Sequence, residues 1–175
     1  SLITWLDVLP GWPLSLFEVN LTNNIEPKSF PIPLGELTFG DGTKADVYCT
    51  DIYHDATSNE PYCLDQDFFA DWRVAWFVAN FPPSRSSYFE HAARQSVVWW
   101  LTDGYDLQGD PTSLPARSGG TPGAQDDDGD FVERVAALKA LIPANPPAEY
   151  APGNVEMVID PAVVTNVLPT QPAHP

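Results

Sequence analysis

The segment Ser87–Gly104 constrains the fold of this chain more than any other. It reads Ser-Tyr-Phe-Glu-His-Ala-Ala-Arg-Gln-Ser-Val-Val-Trp-Trp-Leu-Thr-Asp-Gly. Ser86 or Ser87 can cap the first N–H groups of a helix, and Glu90, three residues after Ser87, fits a capping box. Gly104 is a residue type that stops a helix. The signals predict a helix to about Thr102. Gln95 stands one turn before the Val97-Val98-Trp99-Trp100 cluster, so it is held against an apolar face that other elements must cover.

The cover is written on both sides. Upstream, Phe68, Phe69, Trp72, Ala75, Trp76 and Ala79 recur at helical spacing over Asp67–Phe81, and Pro82-Pro83 ends that helix. Downstream, Val132, Val135, Ala136, Leu138 and Leu141 form the apolar side of a short helix over Phe131–Ile142. Strand-like runs lie outside these helices. Ser15–Leu21 and Glu36–Phe39 precede a turn at Phe39-Gly40-Asp41-Gly42-Thr43, and Lys44–Thr50 alternates as a strand ending at Cys49. Val155–Ile159 and Val163–Leu168 are β-branched and suit strands returning to the sheet. Asp51–Gln66 reads as polar loop, Gln108–Asp130 as a long mobile loop, and Pro143–Pro152 as a linker. Together these predict an α+β fold: a β-sandwich or barrel with an inserted helical subdomain at about residues 67–142. One domain over 1–168 is expected, with a disordered tail over 169–175.

Composition narrows the function classes. Hydrophobic content of 43% and six Trp argue against disorder throughout. Twenty-four Asp+Glu against eight Lys+Arg give a net charge of −16, which repels nucleic acid and anionic lipid. No apolar run reaches membrane-span length. A monomer in an extracellular setting is the expectation. There is no basic leader, apolar h-region or initiator Met, so a mature or trimmed chain is expected, with any signal or anchor outside it.

Several residues could carry chemistry. Cys49 and Cys63 could close a disulfide in an oxidising compartment. Alternatively, a Cys49 thiolate held against a primary amide in a dry site could displace ammonia and form a thioester, a reaction that needs proximity and exclusion of water. Gln95 is the candidate amide, or else a polar residue on the helix surface. Tyr48, Trp76, Trp99 and Trp100 could shield the site, or could simply pack a core. His54 and His91 could move protons near neutrality, and His91 lies one helical turn before Gln95. Asp126-Asp127-Asp128-Gly129-Asp130 is dense enough in oxygen ligands for Ca²⁺. It lacks the bidentate Glu and the ligand alternation of an EF-hand loop, and a solvated loop with no metal is the expectation. No cofactor motif is present. Asp103 and Asp106 could form a hydrolase carboxylate pair, although nothing in the sequence marks them as buried.

At these residues the chain resembles the thioester domains of Gram-positive surface adhesins. Tyr48-Cys49-Thr50-Asp51 matches the family's first motif, Tyr/Phe/Leu-Cys. Arg94-Gln95-Ser96-Val97-Val98-Trp99 is similar to its helical Thr-Gln-x-Ala-Ile/Val-Trp motif, with Arg94 for Thr and Val97 for Ala. Trp72–Pro82 and Thr102-Asp103-Gly104 look like actinobacterial members. The likeness covers roughly residues 45–106. Tyr62-Cys63-Leu64-Asp65 also fits the first motif, but Cys49 ends a strand and is better spaced from Trp76.

The resemblance implies a cell-surface module rather than an enzyme, with single-turnover covalent attachment at most. Its internal Cys-Gln thioester would react with Lys amines on a host or environmental protein and leave an isopeptide-type bond. In the family the bonded Gln lies near the C-terminal end. The similarly framed site here is Val155-Glu156-Met157-Val158-Ile159, with Glu156 where Gln is expected. The acyl partner of Cys49 is therefore Gln95, or is lost, or lies at a site that does not align. A degenerate member of the same fold, with a Cys49–Cys63 disulfide and non-covalent binding or spacing, is the alternative. Trp99, Trp100 or both are expected to pack near Cys49.

Overall fold

A computed structural model describes residues 2–6, 9, 17–21, 28–50, 52, 60–61, 71–105, 116–117 and 127–150. Two antiparallel sheets and three α-helices are built from them.

The larger sheet has the order β5-β4-β1-β6. β1 (Leu2–Leu6) runs against β4 (Leu34–Thr38), from Leu2 opposite Thr38 to Leu6 opposite Leu34. β4 turns into β5 (Lys44–Val47) through Phe39–Thr43, the turn expected from its Gly and Asp content. Phe39 N–H donates to Thr43 O at 2.8 Å, Gly42 takes φ of 87°, and Asp41 Oδ1 accepts from Thr43 N–H at 2.9 Å. β6 (Glu60–Pro61) pairs with the start of β1. The second sheet joins β2 (Phe17–Leu21) to β3 (Lys28–Pro31) and to β7 (Ala116–Arg117).

Gly35 shows why one β4 position is bare. It lies opposite Trp5 on one side and Val47 on the other. A Cβ added there would come within 2.6 Å of Val47 Cγ2 and 2.8 Å of the Trp5 ring. The indole takes the space that a side chain would fill.

The helices follow the sequence signals closely. α1 (Trp72–Asn80) starts at Asp71, whose carboxylate accepts from Arg73 N–H, and gives way at Phe81 before Pro82-Pro83. α2 (Tyr88–Asp103) has Ser87 as its N-cap, accepting from Glu90 N–H at 3.2 Å, and Gly104 at φ 70° as its left-handed stop. α3 (Asp127–Leu141) packs along α2.

Several details depart from the sequence expectations. β4 covers Leu34–Thr38 rather than Glu36–Phe39, and β5 stops at Val47, so Cys49 lies beyond the strand rather than at its end. β1 and β3 were not marked by alternation, and register with β4 and β2 supplies what the pattern lacks. Glu60–Pro61 and Ala116–Arg117 pair as short strands inside stretches expected to be loop. α3 begins at Asp127 rather than Phe131, so part of the acidic cluster is helical, which suits acidic residues at a helix start. Ala148–Tyr150 forms a 3-10 turn within the expected linker. The first helix's expected residues 67–70, the returning strands at 155–159 and 163–168, and the tail lie outside the described residues.

One main core gathers β4, the Tyr48–Ile52 segment and the facing sides of the three helices. Its largest members are Trp99, Tyr48, Phe77 and Phe131. Among the described residues no helix is long and apolar enough to cross a membrane.

Candidate functional site around Cys49

β5 ends at Val47, and the chain enters the core as Tyr48-Cys49, at 0% and 4% exposure. Past the strand end, Cys49 loses the ladder that would satisfy its peptide groups, and buried peptide groups need partners. α2 supplies them. Gln95 Oε1 accepts from Cys49 N–H at 2.9 Å, and Gln95 Nε2 donates to Cys49 C=O at 2.7 Å. A primary amide carries one acceptor and two donors in a plane, so it can stand in for a neighbouring strand. Gln95 is itself fully buried. This explains why a polar residue is set one turn before Val97-Val98-Trp99-Trp100: the helix turns its apolar face, with the amide in it, onto Cys49.

The shell is aromatic. Tyr48 stacks on His91 with ring centroids 5.7 Å apart and planes within 5°. The Tyr48 hydroxyl donates to Phe81 C=O at 2.7 Å, and burial pushes its phenol pKa up, so it stays protonated. Trp99 belongs to the same buried core as Cys49 and meets Tyr105 edge to face, while Trp76 and Trp100 border that core partly exposed. Lys139 of α3 lies over the Trp100 ring at 4.5 Å from its centroid.

His91 is fully buried. Its Nε2 faces Pro33 C=O at 2.9 Å, and because a carbonyl only accepts, Nε2 carries the hydrogen. Burial lowers its pKa to about 4, outweighing the Pro33 bond that favours the charged form. The ring is therefore neutral at physiological pH.

A charged clasp closes the outside. Arg94 donates to Glu90 at 3.0 Å and to Pro82 C=O at 2.6 Å, with its guanidinium over the Phe81 ring. Arg134 of α3 also donates to Glu90. Burial raises the Glu90 pKa, but Arg134 and Arg94 outweigh it and hold the carboxyl below its ordinary value. Arg94, which departs from the family motif, thus ties the α1–α2 link to α2.

Sequence reasoning missed Asp103's part in this segment. Its Oδ2 accepts from Ile52 N–H at 3.0 Å and from Thr102 Oγ at 3.1 Å. Asp106, the partner in the expected Asp103–Asp106 pair, lies outside the described residues, as do His54, Cys63 and Glu156. So does the proposed Cys49–Cys63 disulfide, through Cys63; Cys49 itself is buried. Among the described residues no three His, Cys, Asp or Glu side chains gather as metal ligands.

The structure thus brings Cys49, Gln95, Tyr48, His91 and Trp99 into one core, with Trp76 and Trp100 at its border. Comparison with protein-family models, with curated proteins and with solved structures yields no match.

Proposed function

We propose that this chain is a bacterial surface adhesion domain, built as a β-sandwich or barrel with an inserted helical layer, in which Cys49 forms an internal thioester with a glutamine side chain. The observation that carries the reading is the double hydrogen bond between the Gln95 amide and the Cys49 main chain inside a nearly dry aromatic core. A thioester needs a thiol held still and shielded from water, and this arrangement supplies both.

The chemistry balances in two steps. Cys49 Sγ attacks the side-chain carbonyl carbon of a glutamine, the C–N bond breaks, and ammonia leaves with the thiol proton. A Lys amine of a partner protein later attacks the same carbon. The C–S bond then breaks, the Cys49 thiol is restored, and an amide joins the two proteins.

Both polar atoms of the Gln95 amide are engaged with the Cys49 main chain, which favours Gln95 as the residue that positions Cys49. Loss of its nitrogen as ammonia would remove the 2.7 Å bond to Cys49 C=O. The acyl donor is then a glutamine elsewhere in the chain. Tyr48 and Trp99 act as the shield, with Trp76 and Trp100 at its rim, and neutral His91 supports the Tyr48 ring.

Intact mass spectrometry with methylamine tests this. The untreated chain should weigh one ammonia less than its sequence. Methylamine should add to one glutamine and expose a thiol at Cys49. Cys49→Ala should abolish the adduct and keep the fold, and Gln95→Ala should lower its yield. A full sequence mass with no adduct, or a mass two hydrogens low that reduction restores, would sink the covalent reading in favour of the non-covalent domain.

A further inference from the structure

Asp103 stands where a carboxylate is electrostatically disfavoured. It is the last residue of α2, in the turn where the helix dipole presents its negative end. A carboxylate there calls for a compensating role. Asp103 Oδ2 accepts from the main-chain N–H of Ile52, a residue with no solvent exposure. Buried and without that bond, the N–H would be left far from water. Thr102 Oγ1 lies beside the acceptor, its single hydrogen shared between Val98 C=O at 3.0 Å and Asp103 Oδ2 at 3.1 Å.

Cys49 and Ile52 are therefore each fastened to α2, Cys49 by Gln95 and Ile52 by Asp103. The two holders are eight residues apart, about 12 Å along the helix. We infer that Asp103 is a positioning residue for Cys49: by holding the Ile52 main chain against α2 it restrains the backbone three residues beyond the thiol and sets how readily solvent and small nucleophiles reach it. The inference rests on the reading of Cys49 as the reactive residue, and the experiment separates the two.

Alkylation at Cys49 is followed by peptide mass mapping in the intact chain, with a mild phosphine reductant present. It is run with iodoacetamide alone, and with iodoacetamide after timed methylamine exposure. The mass of the untreated chain says whether a thioester exists, and so which rate applies. In either case Asp103→Ala and Asp103→Ser should raise the rate at Cys49 about tenfold or more, equivalent to about 1.4 kcal/mol of easier local opening. Asp103→Asn keeps an oxygen for Ile52 N–H and should remain close to the parent rate. Leu138→Ala, which loosens the core from α3, serves as the control for general destabilisation. A parent-like rate in both Asp103→Ala and Asp103→Ser overturns the inference. So does an Asn variant no slower than Ala, or an equal acceleration in Leu138→Ala at matched melting temperature. A chain with no thioester removes the adhesion reading alone, because the iodoacetamide rate still decides the role of Asp103.

Discussion

Burial keeps the His91 ring neutral down to about pH 4, whereas an unfolded histidine protonates near 6.5. Between those values the unfolded chain binds a proton that the folded chain refuses. Stability from this ring is therefore complete above the unfolded value and is lost as pH falls toward the folded one. The full difference is on the order of 3 kcal/mol, of which about 2 kcal/mol should be gone by about pH 5. Urea midpoints at neutral and mildly acid pH measure it. His91→Gln, which can still donate to Pro33 C=O, should flatten that slope, and a parallel slope in the variant would contradict this account. Glu36 and Glu90 have lowered pKa values and act at lower pH, so they do not blur the window. At this scale the sequence was informative about residue types. Cys49, Gln95 and His91 stood out because each is polar or reactive amid apolar neighbours. The pairing of Asp103 with Ile52 was not legible, because it depends on the path of a loop and not on any spacing.

Helices with capping chemistry and strands with an alternating run or a turn beside them could be read, and strands defined by pairing alone could not. Ser87 caps α2 through its hydroxyl and Gly104 ends it in the left-handed conformation, while the Glu90 carboxylate turns to Arg94 and Arg134 rather than completing a capping box; the Gly-Asp-Gly turn sets the β4–β5 hairpin. β1 and β3 carry no comparable local signal, and only their partners make them strands. Gly35 tests the β1–β4–β5 junction. Gly35→Ala should cost about 1–3 kcal/mol, because the methyl meets the Trp5 ring and a Val47 methyl at close range. Val47→Ala is itself destabilising because Val47 is buried, but the double variant should lose less than the two single variants together, since the smaller side chain opens one side of the contact. Thermal melting of the single and double variants reads both effects, and a Gly35→Ala chain as stable as its parent would contradict the packing described.

Across the whole molecule positive charge is scarce, and most of the described cations are paired. Among the described side chains, Lys44 and Arg85 pair with Glu36, Arg85 also with Asp46, Arg73 with Asp71, and Arg94 and Arg134 with Glu90. The net charge of −16 is left as mutual repulsion among carboxylates. Salt weakens both the pairs and the repulsion, but exposed pairs contribute only about 0–1 kcal/mol each. Repulsion should dominate, so the melting temperature at pH 7 should rise from low salt to roughly physiological ionic strength. A fall would mean that the pairs contribute more than their exposure suggests. The choice of cations also bears on how such a chain lives among its own copies. An amine-reactive domain at high density on a cell wall would meet neighbouring copies far more often than any host protein, and each exposed lysine on them would compete as a target. The chain has three lysines and five arginines. Arginine stays protonated and offers no nucleophile, so the competing side-chain amines are three: Lys28, Lys44, which is paired to Glu36, and Lys139, which lies over Trp100. If the proposed thioester forms, a crowded layer of these domains would thus present few competing side-chain amines.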